Sequence, residues 1–185
     1  MTAIAAADAL VVLILANQDV SNYAPGCGSE VVRAAEGELG VCLPPSYRRL
    51  VEEFGAWDIA GEEFLGIIPW HGSGNWPGEV VYETLRARGQ QGLPEEMVVT
   101  MFDGMGGLIV IDTACTDEQG ECPVRAWTGT LGVPARVDDL APSFGEYALR
   151  ICEKAVLRWR ENGLLRPGPQ RQRGIPWCRV GAMSG

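Results

Sequence analysis

The chain has 185 residues and a formal net charge of −9 at neutral pH, and 46% of its residues are hydrophobic. This length fits one domain that buries roughly two-thirds of its unfolded surface without a disulfide or a metal ion. The composition excludes an intrinsically disordered chain, and a mean hydropathy near zero gives no support to a membrane protein. The negative charge disfavours nucleic acid and anionic lipid as partners and favours a basic one.

The first predicted element is a helix over residues 2–16, although the apolar run VVLIL inside it also fits a strand. Asp8 precedes this run, no lysine or arginine does, and the run is shorter than the about twenty residues that span a membrane. We therefore expect neither a signal peptide nor a membrane-spanning helix. We expect the protein to be cytoplasmic. Residues 21–28 contain one proline and two glycines and predict a loop.

An amphipathic helix is predicted to begin at Ser29 as its N-cap and to end at Gly40. Val31, Ala35 and Leu39 then lie on one face of this helix.

A second helix is predicted after the LPPS sequence at residues 43–46, because proline is tolerated in a first helical turn. Its apolar residues have the spacing i, i+3, i+4 and i+7, and Gly55 is expected to stop it. These residues are Tyr47, Leu50, Val51 and Phe54.

The middle of the chain predicts strands and a short helix. Residues 63–68 are strand-like, residues 69–78 form a loop that contains Trp70, His71 and Trp76, and residues 79–88 predict a helix.

The clearest hairpin signal joins residues 97–102 (MVVTMF) and 108–111 (LIVI) through the turn DGMGG. We expect Gly106 and Gly107 to hold backbone angles that other residues avoid. Residues 124–128 predict a third strand, so the sheet has hairpin-type connections and is antiparallel.

The last helix is predicted from the capping box of Ser143 and Glu146. Its apolar face contains Phe144, Ala148, Ile151, Ala155 and Trp159. The predicted domain covers residues 1–163, and residues 164–185 form an extension rich in proline, glycine and arginine. Six residues are expected in the core: Leu50, Phe54, Leu108, Val110, Ile151 and Ala155.

The charge divides unevenly along the chain. Residues 1–146 contain 22 acidic and 7 basic residues, whereas residues 147–185 contain 8 basic and 2 acidic residues. Lys154 is the only lysine, so nearly all the basic residues are arginines. The sequence therefore combines an acidic body with a basic C-terminal part.

The sequence contains no recognisable catalytic group. His71 is the only histidine, so a nucleophile–histidine pair would have to use it. The turn at residues 103–107 lacks the Lys-Ser/Thr ending of a phosphate loop, and adjacent carboxylates such as Glu52 and Glu53 point in different directions. We expect a binding protein that is not an enzyme and that needs no cofactor. An enzyme that uses the His71 loop is the remaining alternative.

Metal binding is also not expected. The six cysteines form no C-x-x-C pair, and the spacing of calcium-binding loops is absent. Free and mostly buried thiols are the better interpretation.

Residues 29–55, SEVVRAAEGELGVCLPPSYRRLVEEFG, resemble the opening signature of the SUKH superfamily, the Smi/Knr-type proteins. Downstream, FLG at residues 64–66, LP at 93–94, DGMGGLIVID at 103–112 and SF at 143–144 follow in family order. The tryptophan-rich loop, the stretch between Cys115 and Cys122 and the arginine-rich tail depart from the common pattern.

This resemblance implies an α+β fold with a central antiparallel sheet flanked by helices. Its bacterial members are chiefly immunity proteins that bind a cognate toxin, often a nuclease, and its fungal relatives regulate cell-wall synthesis. The expected function is therefore neutralisation of a toxin, a basic one of the nuclease type in view of the acidic body, and the alternative is a regulatory adaptor. The motif residues that we expect to determine the fold are Leu43, Pro44, Pro45, Tyr47, Phe54, Gly55, Gly106, Gly107 and Asp112.

Candidate contacts with the partner are acidic residues in loops beside predicted strands, where binding residues usually lie. Two tryptophans are candidate aromatic anchors, although a core position fits them equally well. The candidates are Glu62, Glu63, Trp70, Trp76, Asp117, Glu118 and Glu121.

Overall fold

The computed structural model describes residues 1–68 and 78–161. These residues form an α+β fold, which confirms the predicted fold class. The helices are α1 (Ala3–Ala16), α2 (Ser29–Leu39), α3 (Pro45–Glu53), α4 (Glu79–Gln91) and α5 (Phe144–Glu161). The strands are β1 (Ser21–Pro25), β2 (Phe54–Ile59), β3 (Glu62–Phe64), β4 (Met97–Phe102), β5 (Leu108–Asp112), β6 (Val124–Thr130) and β7 (Val133–Ala141).

The strands form two antiparallel sheets where one central sheet was expected. The first has the order β1-β2-β3 and the second the order β4-β5-β6-β7. The backbone N–H of Leu65, just after β3, donates to the carbonyl oxygen of Thr100 in β4 at 2.8 Å. This bond joins the two sheets at a register shift between Val99 and Met101 in β4.

The main core lies between the helices α1, α3 and α5 and the sheets. On the second sheet, alternate residues such as Val98, Ile109 and Ile111 face this core. The opposite face, which includes Val99 and Val110, packs in a smaller cluster with Ala87 of α4 and with Trp127. Helix α4 therefore covers the face of the second sheet that points away from the main core.

The apolar run VVLIL, which fitted either a helix or a strand, lies in helix α1. Ala7, Leu10 and Ile14 have helical spacing and are fully buried, and the backbone N–H of Ala5 donates to the Thr2 hydroxyl as an N-cap. Among the described residues, no helix is both long and apolar enough to cross a membrane.

The first sheet was largely missed, because residues 21–28 were predicted to be a loop. β1 is an edge strand that pairs with β2, and its proline lies at its end. β2 follows α3 directly, since Phe54 is both the C-cap of α3 and the first residue of β2. Gly55 therefore does not act as a helix stop: a Cβ there would lie 2.5 Å from the carbonyl oxygen of Pro25.

β7 was also missed. Its residues are exposed or half-buried, so it lacks the apolar alternation that predicts a strand, and Pro134 lies within it. It forms because its backbone pairs with β6 at the edge of the second sheet.

The predicted hairpin of β4 and β5 is confirmed, and the role of its glycines needs one correction. Gly106 has a φ of 97° and Gly104 a φ of 75°, both in the region that favours glycine. Gly107 has no positive φ. It is required by close packing, since a Cβ there would lie 2.2 Å from a carboxylate oxygen of Asp103.

Smaller corrections concern helix ends and faces. Ser29 is the first residue of α2 and Gly28 is its N-cap, without a side-chain hydrogen bond. Val31 is half-buried and Val32 takes its place in the core. Ile151 is likewise only half-buried, whereas the other five predicted core residues are buried.

Candidate functional site

An open groove of about 700 Å³ lies where β3, α4 and the end of β4 meet. Five of its lining residues are acidic, and most of the others are apolar or aromatic. The acidic residues are Glu62, Glu63, Glu79, Glu83 and Asp103, and the remaining lining residues are Gly61, Leu65, Tyr82, Met101, Phe102 and Gly104. We call this the acidic groove.

The elements around the acidic groove are held by backbone contacts. The Leu65–Thr100 hydrogen bond places the end of β3 beside β4. The N–H of Val80 donates to the carbonyl oxygen of Gly66 at 3.2 Å, which fixes the start of α4 beside the same segment. Gly66 itself has no room for a side chain, because a Cβ would lie 1.7 Å from the carbonyl oxygen of Gly55. The groove is therefore built on a closely packed backbone.

The carboxylates of the groove repel one another. Burial raises the pKa of Glu79 above its usual range, and the charges of Glu83 and Glu63 raise it further. Burial also raises the pKa of Asp58, next to the groove on β2, and Glu63 adds to that effect. A cation in the groove would relieve this repulsion, so the electrostatics favour a positively charged ligand.

Two arginines already contact the rim of the groove. Arg158 of α5 lies with Nη2 at 3.4 Å from an Oε of Glu62, and Arg86 donates from Nε to an Oε of Glu83 at 2.8 Å. Both arginines are exposed, so these pairs contribute little to stability.

The apolar part of the groove has a buried floor and exposed aromatic residues. Met101 is buried and Leu65 is half-buried, while Tyr82 and Phe102 are 49% and 47% exposed. Exposed aromatic side chains beside charged ones are typical of protein interfaces.

Asp117 and Glu118 lie on a different surface, in the loop between β5 and β6. Both are exposed. The Asp117 carboxylate orders this loop, since one oxygen accepts from the backbone N–H of Gln119 and of Glu121 at 2.8 and 2.9 Å. Only the first two of the five acidic candidates, Glu62 and Glu63, therefore line the acidic groove.

Glu121 is not a surface residue, which corrects its assignment as a candidate contact. It is 2% exposed, and its carboxylate accepts from the backbone N–H of Ser46 at 2.8 Å and from the Ser46 hydroxyl at 2.6 Å. The same hydroxyl accepts from the N–H of Gly145 at 3.0 Å. We call these three residues the buried junction, because they connect the β5–β6 loop to the first turns of α3 and α5.

The predicted motif residues are mostly buried and structural. Pro44 is the N-cap of α3, and Pro45 is its first residue. Tyr47 is fully buried and donates its hydroxyl to the carbonyl oxygen of Leu65 at 2.9 Å, which ties α3 to the segment that forms the groove. Asp112 accepts from Arg125, with 2.6 Å between an Oδ and Nη1.

Trp70, His71 and Trp76 belong to residues 69–77 and lie outside the described residues. Five residues that line the groove were not predicted from the sequence: Glu79, Tyr82, Glu83, Phe102 and Asp103. One signal was present: Glu79 and Glu83 are four apart, so they share a helix face. The approach of β3 to β4 had no signal in the sequence.

Within residues 1–68 and 78–161, no group of three or more His, Cys, Asp and Glu side chains has an arrangement that could hold a metal ion. The five cysteines in these ranges are free.

Residues 13–153 match the protein-family model SUKH_5, which is described as SMI1-KNR4 cell-wall. The match covers both sheets, the acidic groove and the buried junction, and it includes the signature at residues 29–55.

Proposed function

The chain belongs to the SUKH superfamily, and from that premise we propose that it is a non-enzymatic immunity protein that neutralises a cognate bacterial toxin by binding it. Membership of the family supports an immunity or SMI1/KNR4-like role in general. The partner that we propose is a basic toxin of the nuclease type.

The acidic groove is the observation that carries this proposal. It combines five carboxylates with two half-exposed aromatic rings in one concave surface. A nuclease carries a positive cleft for phosphate, and a negative surface of complementary shape can cover such a cleft. Tyr82 and Phe102 would supply the aromatic contacts that dominate interface energetics.

Inhibition by binding needs no chemical step. The three buried thiols support this part of the proposal, because burial raises the pKa of Cys27 to about 11 and also raises the pKa of Cys122 and of Cys152. A cysteine nucleophile needs the opposite shift, toward the thiolate.

A regulatory adaptor is the second candidate function. It is favoured by the cell-wall description of the matched family. An adaptor would bind its partner without abolishing that partner's activity, and an immunity protein abolishes it in proportion to the complex formed. The activity of the bound partner therefore separates the two functions.

Where a neighbouring gene encodes a toxin domain, the test titrates the activity of that toxin against the purified chain. We expect complete inhibition at equimolar protein. The groove variant Glu63→Gln/Glu79→Gln/Glu83→Gln should bind at least about tenfold more weakly, because three charges leave the contact surface.

The matched control is Glu38→Gln/Glu96→Gln/Glu153→Gln, which removes the same charge from exposed positions outside the groove. A third variant, Asp117→Asn/Glu118→Gln, tests the loop between β5 and β6. Equal binding by the groove and control variants would contradict the groove as the contact surface. Binding without inhibition would contradict the immunity function and favour the adaptor.

A further inference from the structure

We propose that the acidic groove is also a docking site for the arginine-rich C-terminal segment of the same chain, residues 162–185, and that a basic partner must displace it. This proposal depends on the groove and on the sequence of the segment. Its test contains no toxin, so its failure is distinguishable from failure of the proposed function.

The first argument is charge complementarity. The segment contains four arginines and no acidic residue, and the groove is lined by five acidic residues. The segment also contains apolar residues that suit the apolar floor of the groove. The arginines are Arg166, Arg171, Arg173 and Arg179, and the large apolar residues include Leu164, Leu165, Ile175 and Trp177.

The C-terminal end of α5 lies close to the groove, which favours docking of the segment that follows it. α5 ends at Glu161, and Arg158 in its last turn already contacts Glu62 in the wall of the groove. The segment thus begins within one helical turn of a residue that touches the groove. At roughly 3.3 Å per extended residue, Arg166 can reach about 17 Å from Glu161 and Arg171 about 33 Å, and α5 already contacts the groove three residues before Glu161.

The third argument is that the side-chain chemistry matches. An arginine guanidinium pairs with two carboxylate oxygens at once and also stacks on an aromatic ring. The groove offers carboxylates next to the exposed rings of Tyr82 and Phe102. A lysine would use only the charge, and the segment contains no lysine.

A weak contact is sufficient, because the segment is tethered. Because the segment belongs to the same chain, its effective concentration at the groove is on the order of millimolar, so a contact with a Kd of about 1 mM is half-occupied. The affinity of an incoming basic protein is then reduced by the fraction of molecules whose groove is open.

The experiment places a photoreactive benzoylphenylalanine at position 102 of the full chain, where Phe102 is half-exposed in the groove. A control places it at position 131, because Leu131 is exposed and does not line the groove. We expect cross-links from position 102 to residues 162–185 within single molecules, at least about fivefold above the control. Raising the salt from about 0.05 M to about 0.5 M should lower their yield severalfold, because the charges are screened.

A charge exchange makes the test specific. Glu63→Lys/Glu79→Lys and, separately, Arg171→Glu/Arg173→Glu should each reduce the cross-links about fivefold, and the two combined should restore them. Equal yields at positions 102 and 131, or no restoration in the combined variant, would overturn the proposal. Cross-links between two molecules only would also overturn it, and would assign the groove to the segment of a second copy.

Discussion

The acidic groove and the buried junction use the same side chains in opposite ways. In the buried junction, Glu121 is 2% exposed and its carboxylate accepts from the backbone N–H and the hydroxyl of Ser46 inside the fold. In the groove, Glu63 is exposed on β3, and its charge raises the pKa of Glu79. The Glu121 carboxylate is held by hydrogen bonds inside the fold. The groove carboxylates repel one another, and a cation in the groove would relieve that repulsion.

This difference shows that acidic residues in neighbouring loops do not form one surface. Burial separates the structural carboxylate of Glu121 from the exposed carboxylate of Glu63. Replacing the structural carboxylate should change the free energy of unfolding, and replacing a binding carboxylate should change association.

The largest expected effect on the free energy of unfolding comes from replacing Glu121. Glu121→Ala leaves the backbone N–H of Ser46 buried without its acceptor, so we expect the free energy of unfolding to fall by about 2–3 kcal/mol. Denaturant unfolding measures this change. Glu118→Ala, three residues earlier and exposed, is the control and should stay within about 0.5 kcal/mol of the native chain. Equal effects of the two changes would contradict the buried junction.

Residues 103–107 form the turn that borders the groove. Replacing a glycine of this turn that has a positive φ should lower the free energy of unfolding. Gly106→Ala has open space for its Cβ, so its only penalty is the φ of 97°. We expect a loss of about 1–2 kcal/mol in the free energy of unfolding. Gly37→Ala, at an exposed position in the last turn of α2, should instead stabilise the chain by up to about 1 kcal/mol. A loss at Gly37 equal to that at Gly106 would exclude backbone strain as the cause.

The raised pKa of Glu121 should make the stability of the chain depend on pH. Burial raises the pKa of Glu121 in the folded chain above the usual 4.5, so the folded chain holds this proton more tightly than the unfolded chain. The contribution of this proton to stability is complete below the unfolded pKa and is lost as the pH rises through the folded pKa. The native chain should therefore lose stability relative to Glu121→Gln as the pH rises above about 4.5. A difference between the two that is constant with pH, or that favours the native chain as the pH rises, would contradict the raised pKa.

The smallest expected effect is in the groove itself. Glu63→Gln removes one of the charges that raise the pKa of Glu79. The free energy of unfolding should therefore rise by about 0.2–0.5 kcal/mol at low salt. Thermal unfolding at low and high salt measures this gain, which should vanish at high salt. A clear loss of stability would mean that Glu63 has a structural role.

The sequence predicted the local elements well and the long-range contacts poorly. The β4–β5 hairpin and the Ser143 cap of α5 follow from residues close in the chain, and the N–H of Glu146 does donate to the Ser143 hydroxyl at 3.4 Å. β7 forms through backbone pairing at an exposed edge, so its side chains carry no pattern. The role of Glu121 depends on Ser46, 75 residues away, and no spacing rule connects the two.

The groove was predicted only through Glu62 and Glu63, for the same reason. Neighbouring acidic residues are visible in the sequence, but the hydrogen bond from Leu65 to Thr100 that brings β3 to β4 is a tertiary contact. The partners from α4 follow only once that contact is known.

The central claim, that the acidic groove captures a basic toxin, is tested most directly by the association rate at increasing ionic strength. Stopped-flow mixing of the toxin with the native chain should give a rate that falls about tenfold or more between about 0.05 M and about 0.5 M salt. The Glu63→Gln/Glu79→Gln/Glu83→Gln variant should associate more slowly with a shallower salt dependence, and the Glu38→Gln/Glu96→Gln/Glu153→Gln control should match the native chain. A rate that does not depend on salt, or a groove variant that behaves like the control, would contradict the claim.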